Sequence, residues 1–137
     1  MKTIQILIFS FILMTACKDK QATLNYVDTI IENGCSGTFT YDSISLDQKQ
    51  FIFTTDVMEH ANIKIGEKEI LLKKDSTITP TENEQIDIYS GEGYTINLII
   101  NKVNQIGDEV YTKSGTLLIT KDKIIKYKIK IHGESGC

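Results

Sequence analysis

From residue 37 to residue 132 apolar and polar side chains alternate with a period of two, the signature of strands buried on one face. The stretch GTFTY sets Phe39 and Tyr41 on one side and Thr38 and Thr40 on the other. QFIFTT repeats this with Phe51 and Phe53, and ANIKI with Ala61, Ile63 and Ile65. Gly66-Glu67 reads as a hairpin turn into EILLK. QIDIYS aligns Ile86 and Ile88; YTINLII aligns Tyr94, Ile96, Leu98 and Ile100; GTLLIT aligns Leu117 and Ile119. The last run, IIKYKIKIH, places Ile125, Tyr127, Ile129 and Ile131 together, with Lys126, Lys128, Lys130 and His132 opposite. Turn residues separate the runs at 91–93, 104–107 and 121–123. Thr77-Ile78-Thr79-Pro80 reads as a connection, because proline is excluded from central strands.

Eight short strands joined mainly by hairpins predict an all-β domain, an antiparallel meander closed as a small barrel or packed as a sandwich. No internal repeat appears, and no long helix is expected after residue 34. Before the strands, Leu24 to Ile31 fits either a short helix carrying Tyr26, Val27, Ile30 and Ile31 on one face or a further strand.

The first sixteen residues differ from everything that follows. Lys2 gives a basic start, and Ile4 to Ala16 is apolar except for Gln5, Ser10 and Thr15. As a helix this stretch covers about 20 Å, short of the roughly 30 Å hydrocarbon core of a bilayer. A basic start, a short apolar segment and small residues before a boundary are the pattern of a secretory signal peptide. Met14-Thr15-Ala16-Cys17 moreover resembles the processing motif of bacterial lipoproteins, although leucine is more usual where Met14 stands. The resemblance implies a cleaved signal helix over 1–16, lipid on the sulfur of Cys17 and a tether over 17–34 leading to a β-rich domain over 35–137. Ordinary secretion with a free Cys17 is the alternative. In that class an aspartate directly after the cysteine goes with inner-membrane retention, and position 18 is Lys. The charged Cys17-Lys18-Asp19-Lys20 start also resembles export tags of surface lipoproteins. Both features imply an outer-membrane address, facing the periplasm or the cell surface.

Residues 17–137 carry 14 Lys, no Arg and 18 Asp plus Glu, a net charge near −4. That balance excludes the clustered basic excess of a nucleic-acid binder. With Cys17 assigned to lipid, Cys35 and Cys137 form an even pair in an exported chain, as a disulfide or as two buried thiols. No C-x-x-C or histidine cluster accompanies them, so neither a metal nor any other cofactor is expected.

Candidate chemistry is thin. His60 and His132 are the only histidines, and no HExxH or Ser-His-Asp spacing is readable. GESGC at 133–137 reads as a turn delivering Cys137 to its partner rather than as a nucleophile motif. The carboxylates, Asp87 among them, fall mostly in turns or on wet strand faces, and the Lys126–Lys128–Lys130 stripe reads as a solvated face paired to such acids and guarding an edge. An acidic partner or lipid headgroups are the alternative for that stripe. The expectation is therefore a non-catalytic binding module, anchored to the membrane by its lipid, or a structural subunit of an envelope complex.

One stretch suggests a specific partner. In YSGEGY, Ser90-Gly91-x-x-Tyr94 resembles a motif of the MliC/PliC-type inhibitors of c-type lysozyme, small exported β-barrels. Val110-Tyr111-Thr112-Lys113-Ser114-Gly115 resembles their second loop, but lacks its Trp and carries Ser114 before Gly115. The resemblance implies that Ser90, at a loop tip with Gly91 and Tyr94, enters a lysozyme cleft, and that Lys113 pairs with a catalytic carboxylate there.

The lipoprotein reading predicts that palmitate labels the wild-type protein and that Cys17→Ala abolishes the label; a variant that still incorporates palmitate contradicts it.

Overall fold

The computed structural model describes residues 24–31 and 33–137; residues 1–16, expected to be a signal helix, and Cys17 lie outside them. The order of elements is β1 (Ser36–Thr40), α1 (Ser43–Asp47), β2 (Phe53–Thr55), β3 (His60–Ile65), β4 (Lys68–Thr81), β5 (Glu84–Gly91), β6 (Tyr94–Gly107), β7 (Val110–Lys121) and β8 (Ile124–Gly136). Each strand pairs antiparallel with the next, and β8 returns to β1, so the meander closes as an eight-stranded barrel. At this strand number the interior is just wide enough to be filled by side chains or to hold one small ligand.

The closing seam runs from Ser36 opposite Gly136 to Thr40 opposite His132. One residue beyond Ser36 and Gly136 stand Cys35 and Cys137, joined in a disulfide across 102 positions with α-carbons 3.9 Å apart. GESGC is therefore the end of a strand and not a turn: Ser135 pairs with Gly37 on one side and with Tyr111 on the other. Gly133 is required on this seam, because a Cβ there would collide with the Phe39 ring and the Thr38 carbonyl.

The alternation is realised with instructive exceptions. Phe39, Phe53, Ala61, Ile63, Leu72, Ile96, Leu98, Ile100, Leu117, Ile119, Ile129 and Ile131 are buried in one core cluster. Ile125 is 60% exposed, because a bulge between Tyr127–Ile119 and Ile125–Thr120 changes the face that follows. Strand β4 runs through Pro80, where a connection was expected. Its partner β3 ends opposite Lys73, so residues beyond it form a free edge that tolerates proline.

The two barrel ends differ. At the end carrying the β3–β4, β5–β6 and β7–β8 turns, Leu24 enters the core and Tyr41, Ile65, Tyr94 and Tyr127 pack against it. The Tyr41 hydroxyl donates to the Leu24 carbonyl at 2.5 Å, and burial raises its pKa to about 12. Residues 25–31 then cross the outer face of β2, β3 and β4 as a strap, neither a helix nor a regular strand. Asp28 N–H and Thr29 N–H donate to Glu69 Oε1 at 2.6 and 3.0 Å, Thr29 Oγ1 donates to Oε2, and Val27 N–H donates to the Phe51 carbonyl. Burial opposes the charge on Glu69, but these donors outweigh it and hold the carboxyl below its ordinary pKa. The backbone donors that a helix would use internally are spent on the barrel wall, and β-branched Val27, Thr29, Ile30 and Ile31 disfavour a helix in any case.

The disulfide restricts the unfolded chain across nearly the whole domain. Cys35→Ser with Cys137→Ser is expected to cost about 2–5 kcal/mol in urea unfolding. An unchanged midpoint would show that the β1–β8 hydrogen bonds close the barrel unaided.

Candidate functional site

At the second end the strands do not converge. Strand β5 leaves β6 after Gln85 opposite Ile100, while β6 and β7 continue as a pair to Gly107 and Val110. The β4–β5 tip and the β6–β7 hairpin therefore part, and a cavity of about 430 Å³ opens between them into the barrel. Its apolar lining includes Phe39, Val57, Leu98, Ile100 and Val103; its polar lining includes Thr55, Gln85, Asp87, Lys113 and Ser135, with exposed Glu82 and Lys102 and half-buried Glu84. That volume falls within the range of small-molecule sites.

The polar wall depends on which face of β5 looks inward. Ile86 and Ile88 were expected in the core; they lie half-buried outside, and Asp87 and Tyr89 point in. The cause is the β5–β6 turn. Glu92 and Gly93 adopt φ of 51° and 82°, as a two-residue hairpin of this kind demands, which pairs Gly91 with Tyr94, Tyr89 with Ile96 and Asp87 with Leu98. Residues directly opposite one another share a face, so the inward Ile96 and Leu98 carry Tyr89 and Asp87 inward with them. Asp87 is thus neither on a wet face nor available to the Lys126–Lys128–Lys130 stripe. Those exposed lysines lie on the part of β8 that precedes its pairing with β1, where guarding an edge is still needed.

Asp87 is 8% exposed and fully engaged. Lys74 Nζ stands 3.6 Å from Oδ2, while Thr77 Oγ1 donates to Oδ1 at 2.6 Å and Gln85 Nε2 at 3.3 Å. Lys74 also donates to the Val57 carbonyl at 2.7 Å and lies 5.6 Å from the centre of the Tyr89 ring. The Tyr89 hydroxyl meets Thr55 Oγ1 at 3.1 Å, and burial pushes its pKa up. A second ammonium, Lys113, faces the cavity. Burial lowers its pKa, Asp87 acts in the opposite sense and Lys74 in the same sense; no hydrogen bond or ion pair joins it to a described residue.

The residues of the lysozyme-inhibitor motif are not brought together. Ser90 lies on β5 with its side chain outside, opposite Thr95, and the turn tip is Glu92-Gly93 rather than Ser90. Lys113 lies within β7, not in a loop. Thr95 pairs with Thr120, and Lys113 stands seven residues back along β7, about 23 Å away at roughly 3.3 Å per residue. Ser90, Gly91 and Tyr94 belong to the plugged end, Lys113 to the open one.

Lys74, Asp87, Thr77 and Gln85 escaped the reading by hydrophobicity. The usable signal was the two-residue turn, which ties the parity of QIDIYS to that of YTINLII. Among the described residues no group of three His, Cys, Asp or Glu side chains is arranged to hold a metal ion, and no histidine lines the cavity.

Removing one partner of the internal ion pair leaves the other uncompensated. Lys74→Met is expected to destabilise the fold by about 3 kcal/mol, and Asp87→Leu added to it to recover most of that loss. Additive effects in urea unfolding would contradict the pairing.

Compared with protein-family models, with curated proteins and with solved structures, the chain shows no match.

Proposed function

We propose that this protein is a non-catalytic binding module of the cell envelope that takes one small molecule in the open end of its barrel. The observation that carries the reading is the contrast between the two ends. One is plugged by Leu24 and three tyrosines; the other keeps a cavity of about 430 Å³ with an apolar floor and a few convergent polar groups. The apolar leader and Cys17 support attachment to the outer membrane through lipid. A tether before Leu24 would place the plugged end, where the strap begins, at the membrane side of the chain path.

A second reading, docking to a larger envelope assembly, is favoured by the outer surface of β4–β6. There Ile78 pairs with Ile86 and Ile86 with Ile99, an apolar ladder facing away from the core, with Ile78 46% exposed. Lysozyme inhibition draws support from the Ser90-Gly91-x-x-Tyr94 stretch alone, since Lys113 stands at the other end.

Binding in the cavity is tested with N-phenyl-1-naphthylamine, a neutral dye that brightens in apolar surroundings. The expected result is one saturable site per chain, lost in Ser135→Phe, which fills the cavity while the unfolding midpoint confirms a folded barrel. Dye binding that is absent, or unaffected by Ser135→Phe, overturns the reading.

A further inference from the structure

The cavity lining carries Lys113 and Lys102 with Asp87, Glu82 and Glu84, and Lys74 meets Asp87 from outside the lining. Asp87 is already matched to Lys74, at 3.6 Å, and its oxygens also accept from Thr77 and Gln85. Lys74 is itself held by the Val57 carbonyl and the face of Tyr89, so it is not free to turn toward a ligand. Lys113 is the remainder: a partly buried cation on the cavity wall that feels Asp87 but is joined by no ion pair or hydrogen bond to a described residue. A cation withdrawn from water without a partner costs free energy, and an anion supplied from outside removes that cost.

From this arrangement we infer that the ligand is a small amphiphilic monoanion whose carboxylate pairs with Lys113 and whose apolar body lies on Phe39, Leu98 and Ile100. A single charge matches the single uncompensated ammonium. A dianion such as a phosphate monoester would bring a second negative charge toward Asp87, whose own cation is already engaged. Of the other lining charges, Glu82 and Lys102 are exposed and screened by water, while Glu84 is half-buried like Lys113. The inference rests on the cavity being the binding site.

The test uses the purified protein loaded with N-phenyl-1-naphthylamine and displaces the dye with octanoate, octan-1-ol, octylamine or octyl phosphate. Octanoate is expected to displace it at roughly tenfold to a hundredfold lower concentration than octan-1-ol, the scale of a charge-assisted hydrogen bond in a partly desolvated site. Lys113→Met should erase that advantage while still binding the dye, and Lys113→Arg should keep most of it. Equal displacement by octanoate and octan-1-ol, stronger displacement by octylamine or octyl phosphate, or an advantage that survives Lys113→Met overturns the anion assignment and leaves the cavity as the binding site. Failure of the dye itself to bind removes both.

Discussion

An ionised carboxylate inside a β-barrel must be neutralised where it stands, and Asp87 sets that condition for the open half of this molecule. Meeting it draws Lys74 inward from the free edge of β4, and Lys74 in turn fastens the β2–β3 loop through the Val57 carbonyl. Thr77 and Gln85 complete the carboxylate's shell from β4 and β5, on one side of the opening. Tyr89, beneath the ammonium, hands the network on to Thr55 of β2. Charges and hydrogen bonds therefore hold the mouth in shape just before the point where β5 and β6 cease to pair.

The plugged half is built by other means. Aromatic rings and Leu24 fill it, the strap closes over β2–β4, and Glu69 satisfies two backbone donors that no strand would reach. Closure of the barrel belongs to neither half. It depends on a seam of five residue pairs between the first and last strands, with the disulfide set just past its last pair at the open end. A covalent clamp at that position keeps the seam from parting beside the cavity, which Gly37 and Ser135 of the seam line.

Strand number, order and most inward positions follow from simple alternation, because seven of the eight runs carry their larger apolar residues on the core face. QIDIYS is the exception, and the reason is physical. Two isoleucines make the outer face look like the inner one, and only the two-residue turn at Glu92-Gly93 reveals the parity. The bulge beside Ile119 misleads in the same way, since a one-residue insertion in β8 reverses the face of Ile125 without any sign in composition. Pro80 misleads because whether a strand is central or an edge depends on where its partner stops. The candidate site is scarcely legible in the sequence for a related reason. Lys74 and Asp87 meet across the β4–β5 hairpin, Lys113 reaches the same cavity from β7 only through the folded sheet, and the resemblance that Lys113 carries has its other half at the opposite end.

The asymmetric barrel, the internal ion pair and the spare ammonium support the proposed role as a receptor for one small molecule, with an outer apolar ladder on β4–β6 as a separate surface. The most direct measurement is native mass spectrometry of the protein after exposure to an extract of small molecules from a bacterial envelope. The account predicts a single added mass per chain, released on unfolding as an acidic amphiphile and absent when Ser135→Phe fills the cavity. A protein that emerges with no added mass, or that carries the same adducts with the cavity filled, would contradict it.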